Sequence, residues 1–392
     1  MFGTSSCLHK LTLSPKGLEK ANCKVCVCTA GVRAAEGMWL GHSVKVLAHL
    51  SRAVGSSHTA QVMKRSQHQL AKVYVSRRVP QEGVNLLQDS GICEVTQWDF
   101  DETVPRSELL KQVAGAHGLF CLLTEKIDKE LLDAAGPNLK VISTMSVGHD
   151  HLSLDEIKKR GIRVGYTPDV LTAATAELTV ALLLATSRRL MEAVEEVKNG
   201  GWSAWKPLWL CGFGLQESTV GIVGLGRIGL AIAERLKPFG VKRFLYTGRQ
   251  PRPEPAAKVQ AEYVPLNTLA SQSDFIILSC SFTPDTQGMC NKDFFAKMKK
   301  TAILINSSRG AVVNQEDLYQ ALTTGQIAAA GMDVTVPEPL PTNHPLLSLK
   351  NCVVLPHIGS ATYATRNAMS VLAANNLLAG LKGEPMPSEL KM

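Results

Sequence analysis

The sequence predicts an α/β protein of two parallel-sheet domains with a cleft between them. From residue 71 onward, short apolar strands alternate with helices, a pattern that implies crossover units and parallel pairing. In the second half a glycine-rich turn, Gly224-Leu225-Gly226-Arg227-Ile228-Gly229, joins an apolar strand to a helix. Length agrees, because 392 residues are enough for two domains with separate cores.

Lys72-Val73-Tyr74-Val75 reads as the first strand, since β-branched and aromatic residues suit a pleated, half-buried surface. A helix follows over 82–88, a strand at 93–95 and a helix over 107–113. Leu119-Phe120-Cys121-Leu122-Leu123 is apolar throughout, as a strand covered on both faces must be. Helix 129–135, strand 140–143, helix 154–160 and strand 162–164 close the first series. One long helix is expected over 173–197, apolar on two sides and suited to an interdomain or subunit contact. The segment 200–213 holds Trp202, Trp205, Trp209 and Pro207 and reads as an ordered loop. Packing accounts for Trp202 and Trp209, whereas Trp205 is expected to reach a substrate cleft, either its own or one across a subunit boundary. Strands at 218–223, 243–247, 275–278, 302–305, 328–332 and 353–355 build the second sheet, with helices over 292–298 and 315–322. A last helix over 366–381 is expected to return the chain to the first domain.

Of the net charge of +8, residues 1–70 carry +7, with nine Lys and Arg against Glu19 and Glu36. The remainder is nearly neutral and gives no nucleic-acid signal. The longest apolar stretch, 178–185, is far short of the ~20 residues that span a bilayer. Ten cysteines are scattered, which suits free thiols in a reducing compartment. Cys23, Cys26 and Cys28 lack a second cluster at zinc spacing, so no metal site is expected. The basic, acid-poor extension is expected to be poorly ordered; a targeting segment is the less favoured reading.

In the glycine-rich turn, Gly224 allows the tight bend, Gly226 lets backbone approach a pyrophosphate, and Gly229 lets the helix pack on the strand. Phosphates would sit on free N–H groups at the helix start. The turn predicts a dinucleotide site, and the strand–helix alternation before and after it predicts two Rossmann-like or flavodoxin-like parallel sheets. An NAD-specific site should show an acidic residue ~20 positions on. Here the second strand ends in Gly248-Arg249-Gln250-Pro251-Arg252, and two guanidiniums point to NADPH, with NADH bound more weakly. The expected division is a substrate domain at 71–170 and 363–392, and a dinucleotide-binding domain at 171–362.

Functional groups in such folds lie beyond strand C-termini. Arg309 follows one strand, Glu338 lies beyond the next, and His357 follows the last. A guanidinium can hold a 2-oxo acid carboxylate in a bidentate pair. An imidazolium can protonate the carbonyl oxygen as hydride reaches the carbon. A carboxylate on the other ring nitrogen would orient the imidazole and favour its charged form.

The glycine turn, Asn306-Ser307-Ser308-Arg309-Gly310, Asp333-Val334 with Glu338-Pro339, and Pro356-His357-Ile358-Gly359-Ser360 resemble the D-isomer-specific 2-hydroxyacid dehydrogenase family over about residues 71–392. Within it, the runs 205–209, 247–253 and 341–347 are most similar to members that reduce glyoxylate to glycolate and hydroxypyruvate to D-glycerate. The resemblance implies that Arg309 binds substrate, that Glu338 partners His357, and that His357 is the acid/base. It implies substrate contacts from Val147 and Gly148, and cofactor contacts from Gly226, Arg227, Ile228, Arg249, Arg252, Ser281, Asp333 and Gly359. Gln250, Pro251 and Ser307 belong to the same expected cofactor-binding set, with Gly224 and Gly229. A homodimer built through the second domain is implied as well. His149 stands where an apolar residue is usual, and Ser307 where an apolar or different small residue is frequent.

Two rivals share the fold. D-3-phosphoglycerate dehydrogenases often carry a C-terminal regulatory domain, whereas this sequence ends soon after its last helix. Dinucleotide-sensing corepressors carry the same Arg, Glu and His; the tryptophan-rich segment and Arg249 with Arg252 favour the reductase. Neither a nucleic-acid nor a membrane partner is expected. Cytosol is the expected location and mitochondria the alternative; the final Glu389-Leu390-Lys391-Met392 is no peroxisomal tripeptide.

Overall fold

The computed structural model describes residues 70–392; the expectations for the basic extension and its cysteine cluster lie outside them. The six cysteines within the described residues are all free. The first sheet comprises β1 (Ala71–Val75), β2 (Cys93–Gln97), β3 (Gly118–Cys121), β4 (Val141–Thr144) and β5 (Arg163–Gly165). They pair in the order β2-β1-β3-β4-β5, every pair parallel. The second sheet comprises β6 (Thr219–Val223), β7 (Arg243–Thr247), β8 (Ala261–Tyr263), β9 (Phe275–Leu278), β10 (Ile303–Asn306), β11 (Ala329–Met332) and β12 (Cys352–Val354). Its order is β12-β11-β10-β9-β6-β7-β8, again all parallel.

The central strands read as continuous apolar runs because helices cover both faces: β3, β9 and β10 are buried at every position. From β6 the chain builds outward to β8, then returns to β6's other side at β9. That reversal is a topological switch point, which opens a crevice at the strand C-termini.

The long helix expected over 173–197 is two helices, Thr172–Ser187 and Leu190–Lys198. Arg189 between them takes a left-handed φ of 54°. The Ser187 carbonyl accepts the Phe213 N–H at 2.9 Å, so it is turned to the following loop at the point where the helix breaks. β8 and its flanking helices, Pro253–Val259 and Leu266–Gln272, were not anticipated. The last helix spans Tyr363–Lys382 and packs on the first sheet. Asn376 at its buried face donates to the Tyr166 carbonyl at 2.9 Å and accepts the Ser388 N–H at 2.9 Å. Among the described residues, no helix is long and apolar enough to cross a membrane.

Candidate active site

A cleft of about 860 Å³ opens at the C-terminal ends of the strands of both sheets. The glycine turn after β6 reaches it through Ile228. Gly224 has φ +97°, a region L side chains rarely adopt, and a Cβ there would crowd the Ser279 carbonyl at 2.7 Å. A Cβ at Gly229 would collide with the Gly224 carbonyl, whereas one at Gly226 would meet open space. The helix Arg227–Leu236 starts on Gly226 with no side-chain cap, leaving its first N–H groups for a ligand. These residues fit a dinucleotide pyrophosphate. The Arg227 Nε lies 2.6 Å from Asp169, and Ile228 lines the cleft.

The turn after β7 is held by two tyrosines. The Tyr246 hydroxyl accepts the Arg252 N–H at 2.9 Å, and the Tyr263 hydroxyl donates to the Gly248 carbonyl at 3.0 Å. This fixes the segment with Arg249, Gln250, Pro251 and Arg252, all exposed; Arg249 lines the cleft. Ser281 also lines it, after β9, as does Ser307, whose hydroxyl accepts from Thr179 at 2.8 Å.

Arg309 is placed by the fully buried Asn306 at the end of β10. The Asn306 amide donates to the Arg309 carbonyl at 2.9 Å, and its oxygen accepts the Ser308 N–H at 3.0 Å and hydroxyl at 2.8 Å. Gly310 is required next, because a Cβ there would overlap the Thr335 backbone. The guanidinium reaches across the cleft to the loop after β4, donating from Nε to Asp150 at 3.0 Å. A Cβ at Gly148 would overlap its Nη2.

His357 sits beyond β12 in a left-handed conformation, φ 55°, which costs a non-glycine residue on the order of 1 kcal/mol and recurs at functional sites. Asp333 holds it there: the Asp333 carbonyl accepts the His357 N–H and the carboxylate accepts the Ile358 N–H, each at 2.8 Å. Burial pushes the Asp333 carboxyl up. The His357 Nδ1 lies 2.8 Å from Glu338 Oε2, and the Thr335 N–H donates to Glu338 Oε1 at 3.0 Å. Burial raises the Glu338 carboxyl, but the hydrogen bond and charge of His357, the Thr335 N–H and the Arg309 charge more than offset it, holding it below its ordinary value. An ionised carboxylate only accepts, so Nδ1 carries a proton and Nε2 is the nitrogen free for a ligand.

On the opposite wall, the Ser146 hydroxyl donates to the Gly148 carbonyl at 2.7 Å and pairs with Thr144 at 2.8 Å; Thr144 meets the His151 Nε2 at 3.0 Å. Burial pushes His151 down to about 4, so it is neutral near pH 7 and supports this loop as an uncharged group. Among the described residues, the N–H groups of Val147 and Gly148 have no protein acceptor. Both residues line the cleft, as do His149 and Gly359.

The cleft thus brings together Val147, Gly148, Ile228, Arg249, Ser281, Ser307, Arg309, Asp333, Glu338, His357 and Gly359. Gly224, Gly226, Arg227, Gly229, Gln250, Pro251, Arg252 and Trp205 do not line it; Trp205 is 83% exposed, within a surface loop of its own chain. Trp202, expected to pack, is 62% exposed, because among the described residues no element covers that loop. Sequence reasoning passed over Asp150 and Arg366, which also line the cleft. Burial lowers the Arg366 guanidinium from its ordinary value, partly countered by Asp333. Its place one turn into the last helix was the available signal.

Residues 180–359 match the family described as D-isomer specific 2-hydroxyacid dehydrogenase, NAD binding domain. The human glyoxylate reductase/hydroxypyruvate reductase is 74% identical over 323 residues, which is 82% of this chain and 98% of that protein. This chain belongs to the D-isomer-specific 2-hydroxyacid dehydrogenase family. Glyoxylate reductase of Thermococcus kodakarensis is 44% identical over 81% of this chain and 95% of its own length. Among solved structures of such dehydrogenases, an NADPH-dependent glyoxylate/hydroxypyruvate reductase from Sinorhizobium meliloti, in complex with NADP and malonate, superposes with TM-score 0.71 at 32% identity. It covers 82% of this chain and 97% of that one. Membership and the glycine turn together support a nicotinamide cofactor for this chain.

Proposed function

We propose that this chain is an NADPH-preferring reductase of small 2-oxo acids, converting glyoxylate to glycolate and hydroxypyruvate to D-glycerate. One observation carries the reading: the His357–Glu338 pair and Arg309 share a single cleft beside the glycine turn. The names of the relatives, the human protein above all, support the choice of substrates.

Arg309 and the N–H groups of Val147 and Gly148 bind the substrate carboxylate, which fixes the adjacent carbonyl in the cleft. NADPH, when bound, supplies a hydride from its nicotinamide. His357 Nε2 donates a proton to the carbonyl oxygen as the carbon accepts the hydride, giving the 2-hydroxy acid. Glu338 holds the ring and balances its charge before transfer; the neutral imidazole then regains a proton from solvent. We assign the substrate domain to 71–170 with 363–392, and the dinucleotide domain to 171–362.

NADPH preference rests on Arg249 and Arg252, held in an acid-free turn by Tyr246 and Tyr263. A hydrogen bond to a charged group contributes about 1.5–3 kcal/mol. Replacing both arginines by Asp is therefore expected to raise the KM for NADPH tenfold or more per arginine, with little change for NADH. Equal weakening of the two cofactors in steady-state assays contradicts this account.

The chain is also inferred to be a homodimer. Leu190, Met191, Val194, Val197, Trp202, Trp205, Leu208 and Phe213 expose large apolar surface on one continuous segment, as interaction surfaces do. That segment would bring Trp205 to a partner's cleft. Sedimentation should give twice the 42.3 kDa chain mass; a monomer at micromolar concentration contradicts the inference.

A further inference from the structure

The Arg309 guanidinium has five N–H donors in a fixed plane, and among the described residues two of them are engaged. Nε donates to Asp150 Oδ1 at 3.0 Å, and Nη1 donates to the Ser308 carbonyl at 2.9 Å. Nη2 lies over Gly148, where no Cβ intervenes. What remains is the Nη1/Nη2 edge, the fork that matches a carboxylate in two parallel hydrogen bonds. Asp150 stands on the loop after β4 of the first sheet and Arg309 on the loop after β10 of the second, 159 residues apart in sequence. The pair therefore crosses the cleft from wall to wall.

A long side chain left to itself samples many rotamers, and fixing it at the moment of binding costs affinity. Asp150 meets that cost beforehand, and it does so from the same loop that presents the Val147 and Gly148 N–H groups. The Asp150 carboxyl is raised by burial, but the Arg309 charge and hydrogen bond outweigh this and hold it below its ordinary value. It is therefore an anion throughout the neutral range. Its side chain is 37% exposed and that of Arg309 24%, so bulk Coulomb attraction is partly screened and orientation is the larger contribution.

We infer that Asp150 is a positioning residue: by binding the Nε edge of Arg309 across the cleft, it aims the guanidinium's remaining edge at the substrate carboxylate and couples carboxylate recognition to the apposition of the two walls. The inference rests on Arg309 as the carboxylate binder.

The test uses the full chain with NADPH, comparing anionic glyoxylate with its uncharged methyl ester. Asp150→Ala is expected to raise the KM for glyoxylate about tenfold, with kcat and the NADPH dissociation constant little changed and methyl glyoxylate turnover unaffected. Asp150→Asn keeps an acceptor for Nε and should recover part of the loss. If Asp150→Ala leaves the glyoxylate KM unchanged while Arg309→Ala raises it, the positioning role is overturned. Equal losses with acid and ester also overturn it, because a merely structural defect does not distinguish the two. If neither variant affects glyoxylate, the assignment of Arg309 itself falls.

Discussion

A His357→Asn variant is expected to lose about 100- to 10,000-fold in kcat with glyoxylate, the range supplied by a positioned general acid, while binding NADPH as tightly as the parent. The choice of asparagine follows from the backbone. His357 has φ 55°, and asparagine tolerates the left-handed region where alanine is strained. The variant therefore removes the ring without disturbing the Asp333 contacts to the His357 and Ile358 N–H groups. An amide has no proton to transfer at neutral pH, so the developing alkoxide must wait for water. Steady-state kcat beside a fluorescence titration of NADPH separates chemistry from folding. A kcat within a few-fold of the parent would mean that the proton comes from elsewhere in the cleft.

The parts of this cleft that were legible in the sequence are those set by local pattern. Glycine at 224, 226 and 229 follows from the bend between a strand and a helix, and the placement of Arg309, Glu338 and His357 follows from where successive apolar strands end. The parallel sheets followed from alternation, since the buried runs of β3 and β9 read the same in isolation as in the fold. The break at Arg189 did not, because the Phe213 N–H that takes the Ser187 carbonyl lies 26 positions away in the chain. β8 was missed because a three-residue edge strand, Ala261-Glu262-Tyr263, carries no periodicity. Asp150 was passed over for a related reason. Its partner is distant in sequence, and nothing near it distinguishes a tie across a cleft from an ordinary surface acid. Trp205 projects to solvent within its own chain, so of the two clefts its sequence position allows, its own and a partner's, the single chain brings it to neither.

Arg309→Ala is expected to have the other large effect. Truncating one member of a desolvated, hydrogen-bonded charge pair costs about 2–5 kcal/mol, or about 30- to 4,000-fold in kcat/KM at 1.4 kcal/mol per tenfold. The loss should include a raised KM, because the guanidinium binds a carboxylate that is charged in both the ground state and the transition state. It should include some kcat as well, because a substrate held only by the Val147 and Gly148 N–H groups can tilt its carbonyl away from His357 Nε2. Gly148 has no Cβ to fill the space vacated by Nη2, so water will occupy it, and the neutral contacts of the cleft will persist.

The decisive comparison sets parent and Arg309→Ala side by side with glyoxylate and with methyl glyoxylate, NADPH saturating. If Arg309 recognises the carboxylate of a 2-oxo acid, kcat/KM for glyoxylate falls by at least about 30-fold, and that for the ester changes by no more than a few-fold. An equal fall for acid and ester, or no fall for the acid, would contradict carboxylate recognition by Arg309 and with it the placement of the substrate in this cleft.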